Sequence, residues 1–122
     1  MKGKSPLFGK TKRPKLPSGM SRSQKRRIER GYRKIDDHLT DKDISGAINE
    51  INGKPVTRKN GVPFQHVKEV EDAIRGLTRD RDSLKKSIKN PNMQPEIKST
   101  IKTVIKDFDV PINKWDKIKR GN

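Results

Sequence analysis

The sequence predicts a mainly α-helical small domain of four to five helices with one short β-hairpin (α+β), preceded by a basic, disordered N-terminal tail. Three observations predict it. Apolar residues recur at intervals of three and four from Ile28 almost to the end of the chain. One Asn60-Gly61 pair, flanked by Val56-Thr57-Arg58 and Val62-Pro63-Phe64, supplies a single hairpin signal. Hydrophobic residues make up only 27% of the 122 residues, well below the roughly 45–50% of ordinary globular chains. A core is therefore possible only if part of the chain stays out of it.

The charge shows which part. The formal net charge is +16. Residues 1–34 hold thirteen Lys/Arg against one Glu, which places +12 there and leaves +4 for residues 35–122. Such a chain attracts polyanions: nucleic acid, an acidic membrane surface or an acidic protein. No apolar run is long enough to span a membrane, and no apolar segment follows the first lysines as a signal peptide requires. Cysteine is absent, which excludes disulfide staples and thiolate metal sites.

Residues 1–20 carry Pro6, Pro14, Pro17, Gly3, Gly9 and Gly19 among lysines, with no period of 2 or 3.6. They read as a flexible tail or linker. The functional domain is expected over residues 21–122. Ser21 or Ser23 caps its first helix. Ile28, Tyr32, Ile35 and Leu39 make one face of that helix, and Lys25, Arg26, Arg27, Arg30, Arg33 and Lys34 make the other. That row of cations suits phosphates, and a solvated face is the plainer alternative. Thr40 with Asp43 signals the start of a second helix, with Asp41 and Asp43 at the positive end of its dipole. Asn52-Gly53 supplies its left-handed stop. The hairpin occupies residues 54–64, and Pro63 keeps it short or at an edge. From His66 a long amphipathic helix runs through Val67, Val70, Ile74, Leu77, Leu84 and Ile88 to Asn90-Pro91, missing one apolar beat at Arg81. Pro95 opens the next helix. Val110-Pro111 is expected to break it, leaving Ile112, Trp115 and Ile118 on a last short helix.

The chain carries no phosphate loop, dinucleotide fingerprint, zinc set or nucleophile elbow. Aromatic residues are too scarce for a base-stacking platform. Its two histidines, His38 and His66, bracket the hairpin unit. Cleavage of RNA without a metal needs a base for the 2′-OH and an acid for the 5′-oxygen, and imidazoles suit both tasks near neutrality. A helix N-terminus at His66 favours the neutral, base-competent imidazole and offers amides to a phosphate. A single histidine at a helix start is otherwise a capping or surface residue. Asp36, Asp37, Asp41 and Asp43 flank His38, a pattern that also suits a divalent cation in a DNase. Helix capping accounts for Asp41 and Asp43 equally well, and no metal or cofactor is assigned. Lys54, Arg58 and Lys59 are natural phosphate contacts.

The pieces from His38 to Ala47, from Asn52 to Val56, from Phe64 to Val70 and from Ala73 to Leu77, with Leu84 and Lys89-Asn90-Pro91, together resemble the bacterial polymorphic toxin type 28 domain. The resemblance covers residues 38–92. It implies a C-terminal toxin domain of a larger secreted or contact-delivered protein, acting as an endoribonuclease on cellular RNA (tRNA among the candidates) in the target-cell cytoplasm. It implies a cognate immunity protein, expected to be acidic so that it can cover a basic site. It places His38 and His66 at the family's motif histidines, with Asp41 or Asp43 and Gln65 near them. The expectation is then His66 as base and His38 as acid, or the reverse, with Asp43 and Lys54 completing the catalytic set. Arg58, Lys59, Arg26, Arg27, Arg30 and Arg33 would bind the substrate. Whether a host protein is required is left open. Two other readings stand beside this one: a non-catalytic RNA- or ribosome-binding protein, and a metal-dependent DNase toxin.

Overall fold

The computed structural model describes residues 13–53 and 66–121. Among them lie four helices: α1 (Arg22–His38), α2 (Asp41–Ile51), α3 (His66–Ser87) and α4 (Pro95–Lys119). α3 is the hub, and it packs against α1, α2 and α4. The mainly helical expectation holds. The expected hairpin, with Lys54, Arg58 and Lys59, lies outside the described residues.

The helix starts follow local chemistry. Ser21 closes a capping box: its hydroxyl accepts from the Gln24 amide while the Gln24 side chain accepts from the Ser21 amide. Thr40 and Asp43 do the same for α2. Each arrangement satisfies two amides that a helix start leaves without an intrahelical partner. Gly53, at φ +78°, follows α2 in the conformation that an L side chain resists. Pro95 starts α4, where a missing N–H costs nothing.

Every residue of the expected α1 stripe (Ile28, Tyr32, Ile35, Leu39) is buried. The stripe meets Val70, Leu77 and Leu84 of α3 and Ile101, Val104 and Phe108 of α4 in one continuous core. Tyr32 and Phe108 pack edge to face with centroids 5.2 Å apart. The Tyr32 hydroxyl donates to Asp107 at 2.6 Å. Burial, and then this hydrogen bond, hold the phenol well above its ordinary range.

Packing begins before residue 21. Met20 is buried and Leu16 lies against the core. Arg13 pairs with Asp36 at 2.8 Å and sits over the Tyr32 ring. The basic chain from residue 13 is therefore laid along α1.

One expectation fails. Pro111 does not end α4, which continues through it to Lys119. A mid-helix proline loses the bond to the carbonyl four residues back and crowds it, at about 3 kcal/mol or more. Here Phe108, Pro111 and Trp115 fall at three–four spacing and are all buried, so core packing offsets that cost. The expected fifth helix is the end of α4. The missing apolar beat at Arg81 also has a cause: Arg81 bridges Asp109 of α4 at 2.9 Å and Asp82 at 3.0 Å.

Candidate functional site

α1 and α3 run antiparallel, because Arg30 pairs with Asp80 while His38 lies opposite the first turns of α3. A groove separates their exposed edges. At the start of α1 a hollow is lined by Arg22, Ser23, Arg26, Arg27 and Arg30. Beside it, sharing Arg27 and Arg30, is a stretch between α1 and α3 lined by Arg27, Arg30, Lys34, Arg79 and Asp80. It ends in a cleft of about 420 Å³ lined by Arg30, Arg33, Lys34, Asp37, His38, Glu69, Asp72 and Ala73. The helical period explains the alignment. Arg27, Arg30, Lys34 and His38 recur at three–four spacing on α1, as Glu69, Ala73, Gly76, Asp80 and Ser83 do on α3. Of the four expected α1 arginines, Arg27, Arg30 and Arg33 line the groove beside α3 residues, and Arg26 lines the hollow formed by α1 itself.

The histidines occupy different surroundings. His38 is exposed at the last residue of α1 and forms part of the cleft wall. His66 opens α3, one turn before Glu69, and its side chain is only 12% exposed. Its ring covers Gly46 of α2, where any Cβ would come within 2.6 Å of Nδ1. Among the described residues, His66 is not part of the cleft wall that holds His38. The two histidines are thus brought to the same end of the α1–α3 pair, through separate contacts.

Glu50 holds His66 in place. Its carboxylate accepts from the His66 amide at 2.5 Å and from the Val67 amide at 3.1 Å, and Oε2 lies 2.9 Å from His66 Nδ1. A side chain from α2 therefore caps α3. Burial alone would raise the Glu50 carboxyl, but the two amides and the imidazole outweigh it and leave the group below its ordinary value of 4.5. An ionised carboxylate only accepts, so Nδ1 is the donor to Glu50. Asp43, Gly46 and Glu50 stand three and four residues apart on one face of α2. The His66 ring thus covers the middle of a face with a carboxylate at either end. Asp43 uses Oδ2 to accept from the Thr40 amide and hydroxyl at 3.2 and 2.9 Å.

Because folding lowers the Glu50 pKa, the contribution of this group to stability is present above about pH 4.5 and is lost as pH falls through the folded value. Acid unfolding of Glu50→Gln, followed by circular dichroism beside the native chain, tests this. The variant is expected to be the less stable at pH 7, and the difference should shrink as pH falls below 4.5.

The other expected residues are placed as follows. Asp36 pairs with Arg13, Asp37 lines the cleft, and Asp41 lies in the first turn of α2. No group of three His, Asp or Glu side chains is placed to hold a metal ion among the described residues. Gln65 and the three hairpin cations lie outside those residues. Glu50, Glu69 and Asp80 were not picked out by the sequence reading. Asp80 carried a faint signal, because it occupies a three–four position of α3 otherwise held by small or apolar residues.

Fold and groove together define a basic domain, helical throughout its described elements, whose α1 and α3 wall a groove rich in arginine with His38 at one end. The sequence profile of the family described as bacterial toxin 28 matches residues 19–120, a wider span than the 38–92 segment that carries the motif resemblance. The chain belongs to that toxin family. It is also 32% identical over 85 residues to the tRNA nuclease CdiA of Escherichia coli O6:K15:H31 (strain 536 / UPEC), a match covering 70% of this chain and 3% of that protein. The chain is thus a toxin domain related to a nuclease, and it spans a small fraction of its relative's length. No described helix is long and apolar enough to cross a membrane.

Proposed function

We propose that the domain is an endoribonuclease toxin that cleaves cellular RNA by histidine acid–base chemistry, without a metal. The observation that carries this reading is the arginine-rich groove that ends at His38, at the same end of the α1–α3 pair as the Glu50-held His66. The relative's name supports tRNA as the substrate class.

In this mechanism the RNA backbone lies in the α1–α3 groove against Arg26, Arg27, Arg30 and Arg33. His66 Nε2 takes the proton from a 2′-OH. The 2′-oxygen then attacks the adjacent phosphorus, and the 5′-oxygen leaves with a proton from His38. Glu50 and Asp43, on the face beneath the ring, stabilise the imidazolium formed in the first half of the step. Lys54, Arg58 and Lys59 follow α2 directly and are assigned to the scissile phosphate on chain position alone. The domain is delivered as part of a larger secreted or contact-delivered protein and acts in the target-cell cytoplasm. An acidic immunity protein neutralises it by covering the groove.

The test is chemical. The cleavage products should carry 2′,3′-cyclic phosphate and 5′-hydroxyl ends. An RNA with every 2′-oxygen methylated should bind and remain intact. Cutting of the methylated RNA would contradict the mechanism. A non-catalytic RNA-binding protein would bind both substrates with steep salt dependence and cut neither.

A further inference from the structure

Asp80 is the one charged residue buried among the described residues, at 4% exposure. It sits in the stretch of the groove lined by Arg27, Arg30, Lys34 and Arg79. A buried carboxylate is costly unless it is paired. Asp80 is paired twice, and both partners are groove cations. Arg30 Nη2 donates to Oδ1 at 2.8 Å, with Nε at 3.5 Å from Oδ2. Lys34 Nζ lies 3.8 Å from Oδ2. Hydrogen bonding to Asp80, and then its charge, raise the Arg30 guanidinium above its ordinary value.

The geometry leaves both cations available. The Arg30 side chain is 57% exposed. Its contact with Asp80 uses one edge of the guanidinium, so the Nη1 donors of the planar fork are left for another acceptor. Lys34 lies across Gly76, one turn before Asp80. A Cβ at Gly76 would come within 2.5 Å of Lys34 Cε. Gly76 and Asp80 thus act together: one provides the space for the lysine stem, and the other draws in its ammonium. Free arginine and lysine side chains sample many rotamers and lose that freedom when they bind. Here much of that loss is already met in the folded protein.

From this arrangement we infer that Asp80, with Gly76, is a positioning residue that holds Arg30 and Lys34 as a preformed seat for backbone phosphates of the RNA. The inference rests on the reading of the groove as the RNA site. It also predicts an unusual sign. Asp80→Asn removes a negative charge from a cationic groove, so net charge alone predicts tighter binding. Positioning predicts weaker binding.

The experiment measures binding of the full chain to an all-2′-O-methyl RNA oligonucleotide by fluorescence anisotropy, from low to moderate salt. Asp80→Asn should bind about tenfold more weakly, with a plot of log K against log salt shallower by roughly one unit, as for the loss of one or two phosphate contacts. Gly76→Ala is the second variant. Its new methyl group meets only the end of a flexible lysine, and alanine favours the helix, so the chain should fold while Lys34 is displaced. It should show the same flattening with Asp80 intact. If both variants match the native affinity and slope, or bind more tightly, the inference is overturned. If Asp80→Asn does not fold, Gly76→Ala decides alone. If the native chain shows no salt-dependent RNA binding, the reading of the groove itself fails, which is a distinct result.

Discussion

Replacing His66 by alanine should lower RNA cleavage at least about a hundredfold, the low end of what a positioned general base supplies. The helical fold should persist. Glu50 would still accept from the amides of residues 66 and 67, which are backbone donors and survive the substitution. The ring covers Gly46 at the edge of the α2–α3 contact, away from the Tyr32–Phe108 centre of the core. A His66→Ala protein with native circular dichroism, unchanged RNA affinity and unchanged cleavage would remove His66 from the mechanism. Glu50→Gln offers a graded comparison. It keeps a hydrogen-bonding side chain beside Nδ1 but not the charge that favours the imidazolium, so kcat should fall more than KM rises.

The largest effect on stability is expected at Gly31, far from the groove chemistry. Gly31 is buried on α1, and a Cβ there would overlap the ring of Phe108. Phe108 is itself fully buried and cannot swing aside. Gly31→Val should therefore cost about 3 kcal/mol through overpacking and lower Tm by about 12 °C. A thermal melt within a few degrees of the native one would mean that α4 can retreat from α1, which the shared core of Ile28, Tyr32, Val104 and Phe108 argues against. Gly31 lies between two arginines on the cationic helix, so its loss would also disorganise the groove. Activity of this variant should fall with its folded fraction.

Much of this fold was legible because its signals are local. Ser21 as one of two candidate caps, Thr40 with Asp43, and Pro95 each satisfy or avoid a backbone donor close by in the chain, although the choice of Ser21 over Ser23 came with the structure. The α1 stripe was legible for the same reason, through its three–four spacing. Pro111 was misread because the local rule is correct but incomplete: the burial of Phe108, Pro111 and Trp115 against other helices outweighs the lost hydrogen bond. The site divides along the same line. The histidines and the arginine row are visible as residue types, so they could be named. Glu50 could not, because it caps a helix that begins sixteen residues later, and only the packing of α2 on α3 joins them. Asp80 was hidden inside an apolar rhythm, where a carboxylate in the core register is a sign of a buried ion pair. Gly31, Gly46 and Gly76 share a further property. Each is a helical glycine over which another residue's side chain lies, which gives a physical reason for a residue that otherwise weakens a helix.

The most direct test of the central claim incubates the purified domain with total RNA and plasmid DNA, each with and without EDTA. RNA should be cut at the same rate in both buffers while the plasmid stays intact. Plasmid cleavage, or RNA cleavage abolished by EDTA and restored by a divalent cation, would contradict it and point instead to a metal-dependent nuclease.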